Sequence, residues 1–148
     1  MANLMTGKAL RQLKLGMKVD RAAAANGTGT YFTITGGRVL LTLLTGLVTV
    51  EAVGATTLTI TNIQTTGGTQ PVAASLDLDP AIVGSVLTVP LTGSGAATYT
   101  ASATGLAITA TQIATTGALT FTFGAVSGTT SWSLFYIPID DGAYVTAA

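Results

Sequence analysis

The sequence contains no cysteine and no histidine. Without cysteine there is no disulfide and no thiolate metal ligand, and the redox compartment leaves no trace in the chain. Without histidine, the commonest general base and the commonest transition-metal ligand are both missing. Charge is scarce too: Asp, Glu, Lys and Arg make up 8% of the 148 residues, against about 25% in an ordinary soluble domain. Aromatics are 6%, too few for the paired girdles of an outer-membrane barrel. The most apolar stretch, residues 39–50, is interrupted by Thr42, Thr45, Gly46 and Thr49, and a membrane helix needs about 20 apolar residues. Charges recur every few residues from Lys8 onward, so no secretory leader is expected.

What remains is apolar and neutral. Hydrophobic residues are 48%, mean hydropathy is +0.60, and Thr, Ser, Gly and Ala supply most of the rest. A free monomer stays soluble through mixed surface charge, and a surface of hydroxyls and alanine suits a chain that lives inside an assembly. The length fits one domain, long enough to build a core without staples. The few charges are unevenly placed. Lys8, Arg11, Lys14, Lys18 and Arg21 face one acid, Asp20, in the first 21 residues, a net +4. The remainder holds Arg38 against Glu51, Asp77, Asp79, Asp140 and Asp141, a net −4. The chain is neutral but polarised along its length. Five cations with no aromatic among them are a poor nucleic-acid signature.

Strand-forming residues run nearly throughout, punctuated every 8–12 residues by Gly/Ser/Thr clusters, which is the rhythm of an all-β fold. The expected architecture is an antiparallel β-sandwich, jelly-roll-like, with a basic N-terminal arm. Residues 1–21 form the arm, 22–30 a flexible linker and 31–148 the body. In the arm, Leu13, Leu15, Met17 and Val19 alternate with Lys14, Gly16, Lys18 and Asp20, a strand with one face to bury. Residues 6–14 fit a helical turn or two instead, through Ala9, Leu10 and Leu13. Gly36-Gly37 between two apolar runs predicts a hairpin, and residues 53–56 predict a second. Gly46, inside a long apolar run, predicts a bulge or bend. Leu58 and Ile60, with Asn62 next in step, share one face, and Thr57, Thr59 and Thr61 the other. Asp79-Pro80 and Gly84 predict about one helical turn. Further strands are expected at 85–91, 97–103, 106–110, 119–123 and 131–139, with Asp140-Asp141-Gly142 turning the chain into a short tail. Trp132, Leu134 and Tyr136 alternate with Ser133, Phe135 and Ile137, so both faces of that strand are largely apolar and it is central or covered by a partner.

Chemistry finds no foothold. Serines such as Ser94 have no histidine to activate them. Among Glu51, Asp77, Asp79, Asp140 and Asp141, Asp77 and Asp79 share a strand face, but Asp79 is explained as a cap and Asp140-Asp141 as a turn, so no glycosidase pair is expected, and the acids lack the spacing of an EF-hand calcium loop. Gly27-Thr28-Gly29 lacks the lysine and the helix of a phosphate loop. No enzyme activity, metal or cofactor is expected. The arm carries the expected partner contacts: Lys8, Arg11, Leu13, Lys14, Leu15, Met17, Lys18, Val19 and Arg21, adding a strand to a neighbouring subunit's sheet edge.

Three blocks, TYFTITGGRVLLTLLTGLVTV, SLDLDPAIVGS and WSLFYIPIDDGAYV, resemble a family of small virion proteins of tailed bacteriophages. Members are similar in length, rich in Thr, Gly and Ala, β-rich and free of enzymatic motifs. The resemblance extends over residues 28–64, 72–92 and 130–146; the arm and residues 93–128 match less well. It implies a structural role on the particle. The leading expectation is a capsid decoration, or cement, protein on the virion surface, a homotrimer that binds the major capsid protein and neither nucleic acid nor membrane. The alternative is a tail, fibre or adhesin module that recognises a cell-surface glycan. A tail-tube or connector component is a third, lesser possibility.

Overall fold

Strand β1 (Met17–Ala25) lies along β10 (Thr129–Pro138), and β10 lies along β3 (Val39–Val50), so the first and last thirds of the chain share one sheet. The computed structural model describes residues 6–54, 56–79, 81–95, 98–100 and 110–148. Sheet A runs β1-β10-β3-β6-β7, with β6 at Val86–Val89 and β7 at Thr98–Thr100; a short β8 (Gln112–Ala114) pairs with the start of β3. Sheet B runs β11-β2-β9-β4-β5, with β2 at Gly29–Thr35, β4 at Thr57–Gln64, β5 at Thr69–Asp77, β9 at Gly117–Phe123 and β11 at Tyr144–Ala147. Every pairing is antiparallel. The all-β sandwich expected from the strand rhythm is the fold.

The pairings are nested. β4 pairs with β5, β3 with β6, β2 with β9 and β1 with β10. The chain is therefore a long ribbon doubled back at the β4–β5 turn, with β1 to β4 alternating between the sheets and β8 to β11 doing the same. This corrects two hairpins. Gly36-Gly37 joins β2 of sheet B to β3 of sheet A, and residues 53–56 join β3 of sheet A to β4 of sheet B. Apolar runs flanking glycines give the same local pattern whether the chain reverses within a sheet or crosses between two. Both Gly36 and Gly37 have positive φ, and a Cβ on Gly36 would lie 2.5 Å from the Gly142 carbonyl oxygen.

The inward faces bury the core the alternation predicts. Leu58, Ile60 and Asn62 are buried, as are Trp132, Leu134 and Tyr136. Tyr31 stacks on Phe121 at 4.3 Å between ring centres, and Phe121 meets Trp132 edge-on at 4.8 Å, which ties sheet B to sheet A. Each such side chain contributes about 1.5–3 kcal/mol by leaving water. Gly46 is not a bulge. It pairs in register with Trp132, and a Cβ there would sit 3.0 Å from the indole, so the missing side chain is room for the ring. The register shifts of β10 against β3 fall to either side, at Thr129/Thr130 and Phe135/Tyr136.

The segment around Asp79 makes turns rather than a helix. The Asp77 carboxylate, not that of Asp79, accepts the Asp79 amide at 3.0 Å, and Ala81 bridges to Ala52. Pro80 lies outside the described residues, as do 101–109, on which most of the expected 106–110 strand falls. Asp140–Gly142 turns as expected, but the chain beyond that turn is no tail: β11 is the edge strand of sheet B, paired with β2.

Candidate functional site

The arm divides at Gly16. Residues Gly7–Leu15 form helix α1, capped by the Thr6 hydroxyl, which accepts from the Ala9 amide at 3.3 Å. Gly16 then turns the chain into β1 with φ +81, so close to β10 that a Cβ would meet the Tyr136 carbonyl oxygen. Only glycine takes that angle without strain. The strand expected at residues 13–19 is thus helical up to Leu15, where the 3–4 spacing of Ala9, Leu10 and Leu13 prevails over the alternation. The linker expected at 22–30 is corrected as well. Residues 22–25 continue β1 against Thr129 and Thr130, and only 26–28 connect it to β2. Small alanines there are strand residues at a sheet edge. Asn26 is buried, with its amide donating to the Ser127 carbonyl at 2.8 Å.

The predicted arm residues therefore have different fates. Val19 is half-buried and packs on the core. Leu15 is half-buried, and its carbonyl accepts from the Thr42 hydroxyl at 2.6 Å. Met17 is 48% exposed at the sheet edge opposite Tyr136. Lys18 pairs with Asp20 at 2.8 Å and lies 5.9 Å from the Phe135 ring centre. Burial alone would raise the Asp20 pKa, but hydrogen bonds from Lys18 and Ser133 outweigh it and hold the carboxyl below its usual value. Arg21 is turned inward. Its guanidinium lies 3.8 Å from the Tyr31 ring centre, and Nε donates to the Ala148 main-chain oxygen at 3.3 Å. It clasps the β1 edge of sheet A to the β11 edge of sheet B. Lys8, Arg11, Leu13 and Lys14 stay on the exposed helix, with Leu13 74% exposed. The strand of the arm is spent on the chain's own sheet; the part that projects is α1.

The two outer faces of the sandwich differ in kind. On sheet B, threonines align across the strands: Thr122 beside Thr59, Thr120 beside Thr61, Thr146 beside Thr33. On sheet A the outward rows are Ile137–Leu40–Ile113, Phe135–Leu43 and Ser131–Leu47–Val86, with a hydroxyl row Ser133–Thr45–Thr88 between. Leu47 is 45% exposed, Val86 43% and Ile113 50%. The charges on this face, Lys18 and Asp20, sit at the β1 margin. The sequence signals it weakly, since residues 39–50 are apolar on both alternating sets, which periodicity alone reads as core.

At the end of the sandwich nearest α1, Arg38 and Asp140 form a forked ion pair, with Nη2 to Oδ1 at 2.6 Å and Nε to Oδ2 at 3.0 Å. The Arg38 amide also donates to Oδ2 at 2.6 Å. The side-chain and backbone bonds from Arg38 lower the Asp140 pKa to about 2. Sequence reading assigns Asp140 to a turn and misses its partner, which lies on the far side of the sheet-to-sheet crossing.

Compared with known protein families, curated proteins and solved structures, the chain matches none.

No three acidic side chains gather within metal-binding reach among the described residues. No helix among them is long and apolar enough to cross a membrane. Seven aromatic side chains are buried, and Tyr144, 46% exposed, is the one exposed ring among the residues whose side chains are described.

Proposed function

We propose that this chain is a structural subunit of a virus particle, a capsid decoration protein that seats the outer face of sheet A on the shell of major capsid protein and leaves the threonine face to solvent. The observation that carries the reading is the contrast between the two faces in a chain with 8% charged residues. Exposed Leu47, Val86 and Ile113 lie on one sheet in apolar rows crossed by a single hydroxyl row, the kind of surface that marks a protein interface, while the other sheet is dressed in hydroxyls. The nested order β1-β10-β3-β6 facing β2-β9-β4-β5 is in keeping with a jelly-roll winding, an architecture used by capsid proteins, and supports the reading. The resemblance of three sequence blocks to small phage virion proteins points the same way. Glycan recognition is less well supported, because such sites present aromatic platforms and Tyr144 is the one exposed ring among the residues whose side chains are described.

The test is cryo-electron microscopy and mass spectrometry of particles from the phage whose genome encodes the chain, with and without its gene. The expected result is density for the chain on the outer shell, and shells that rupture at lower temperature without it. Replacing Leu47 and Val86 together by lysine should reduce shell occupancy at least tenfold while leaving the far-ultraviolet spectrum unchanged. A chain found only in tails, or missing from particles, overturns the proposal.

A further inference from the structure

Helix α1 and three of the five acids of the body lie at opposite ends of the sandwich; the other two, Asp140 and Asp141, lie at the α1 end, Asp140 paired with Arg38. Helix α1 enters β1 at Met17, opposite Tyr136, whereas the far end of β1, Ala25, lies opposite Thr129, and Thr129 lies opposite Val50. Glu51, the next residue, is therefore at the end away from α1. Asp77 and Asp79 are there too: Asp77 pairs with Thr57, and the Leu78 amide donates to the Thr56 carbonyl at 2.7 Å. All three acids are exposed, and none joins an ion pair among the described residues. Around them stand the exposed valines Val53, Val83 and Val126, at 60%, 63% and 74%. The Val53 amide donates to the Ser127 hydroxyl at 2.9 Å, so these loops belong to one patch.

The helix at the other end has the complementary composition. Lys8, Arg11 and Lys14 line one side at spacings of three, and Ala9, Leu10 and Leu13 line the other. No residue of α1 is buried, so its apolar side has no full cover on its own chain. A nine-residue strand separates the two ends, about 30 Å at the rise of a β-strand, or roughly three Debye lengths at ordinary salt. Within one molecule the basic helix and the acidic end neither touch nor screen each other. Between two molecules they are opposite in sign, equal in number and alike in having apolar neighbours.

We propose that copies of this chain join head to tail, α1 of one copy lying on the acidic valine end of the next. The two surfaces are different, so the contact is heterologous and closes into a ring or runs on as a filament. It is independent of the capsid proposal, since sheet A and its occupant take no part. It also gives the arm a partner: a second copy rather than nucleic acid.

The test is sedimentation velocity on the full chain from micromolar to submillimolar concentration at low salt. The wild type should form concentration-dependent oligomers that weaken as salt rises. Reversing the helix charges (Lys8→Glu with Arg11→Glu) should weaken association at least tenfold, and reversing the other end (Glu51→Lys with Asp79→Lys) should do the same. The chain carrying all four changes should recover association to within a few-fold of wild type. A wild type that stays monomeric overturns the inference, whatever particles show. So does a result in which only the helix reversal matters, the signature of a nucleic acid or another acidic partner, and so does a quadruple variant that fails to recover. Should a reversal disturb folding, the neutral pairs K8Q/R11Q and E51Q/D79N decide: each should weaken association several-fold, and no change overturns the proposal.

Discussion

Arg21 and Asp140 show what a side chain's neighbours do to its role. Arg21 has the charge of an arm residue, yet Tyr31 and the Ala148 main chain hold it against the sandwich. A planar guanidinium stacks on a ring face where an ammonium would not, so lysine is a poor substitute there. Asp140 anchors the turn that precedes β11. Its pKa in the folded chain, about 2, lies below that of a free aspartate, about 3.9. The stabilisation is therefore complete above the free value and disappears as pH falls through the folded one. Replacing Asp140 by Asn should lower the melting temperature at neutral pH slightly, because the pair is solvent-exposed and screened. The difference from wild type should shrink from pH 4 downward and vanish only below the folded pKa of about 2. Melting curves of both chains across that range check it, and a gap that persists at the acid end would show that the turn depends on something other than the ion pair.

Among the elements, β1 and α1 divide the arm into a part the fold needs and a part it does not. β10 carries Phe135 and Ile137 on one face and Trp132, Leu134 and Tyr136 on the other, and β1 covers its free edge over most of its length. Removing residues 1–15 should leave the melting temperature within a few degrees of wild type. Removing 1–25 should expose the β10 edge and produce a destabilised, aggregating protein. Thermal melts and light scattering of the two truncations separate these outcomes. The strands themselves were legible because Thr, Val, Ile and aromatic residues alternate within each. Their assignment to sheets was not, because Gly36-Gly37 and residues 53–56 carry the chemistry of a reversal whichever strand the chain meets next. The edge role of Ala22–Ala25 was hidden for a related reason: small residues without alternation match a linker, and only Thr129 and Thr130, a hundred positions on, make them a strand. The candidate faces were half visible, the basic helix from its charge and the sheet A surface only as an excess of leucine and valine.

For the whole molecule, nesting dictates kinetics. The outermost pair, Met17 with Tyr136, closes a loop of most of the chain, and pairings of such sequence separation form slowly. Refolding after dilution from denaturant should take seconds or longer rather than milliseconds. Trp132, the single tryptophan, sits between sheets and makes stopped-flow fluorescence a direct readout. A dominant millisecond phase that recovers the full native signal would contradict this.

The same winding bears on synthesis. A ribosome releases α1 and β1 first and β10 more than a hundred residues later, so the nascent N-terminal segment waits without its sheet until nearly all of the sandwich has emerged. Gly16, which sets the angle between helix and strand against β10, has nothing to lean on before then. The helix takes its folded position only when translation of the body is almost complete, so the head-to-tail contact proposed for it would have to form after synthesis rather than during it.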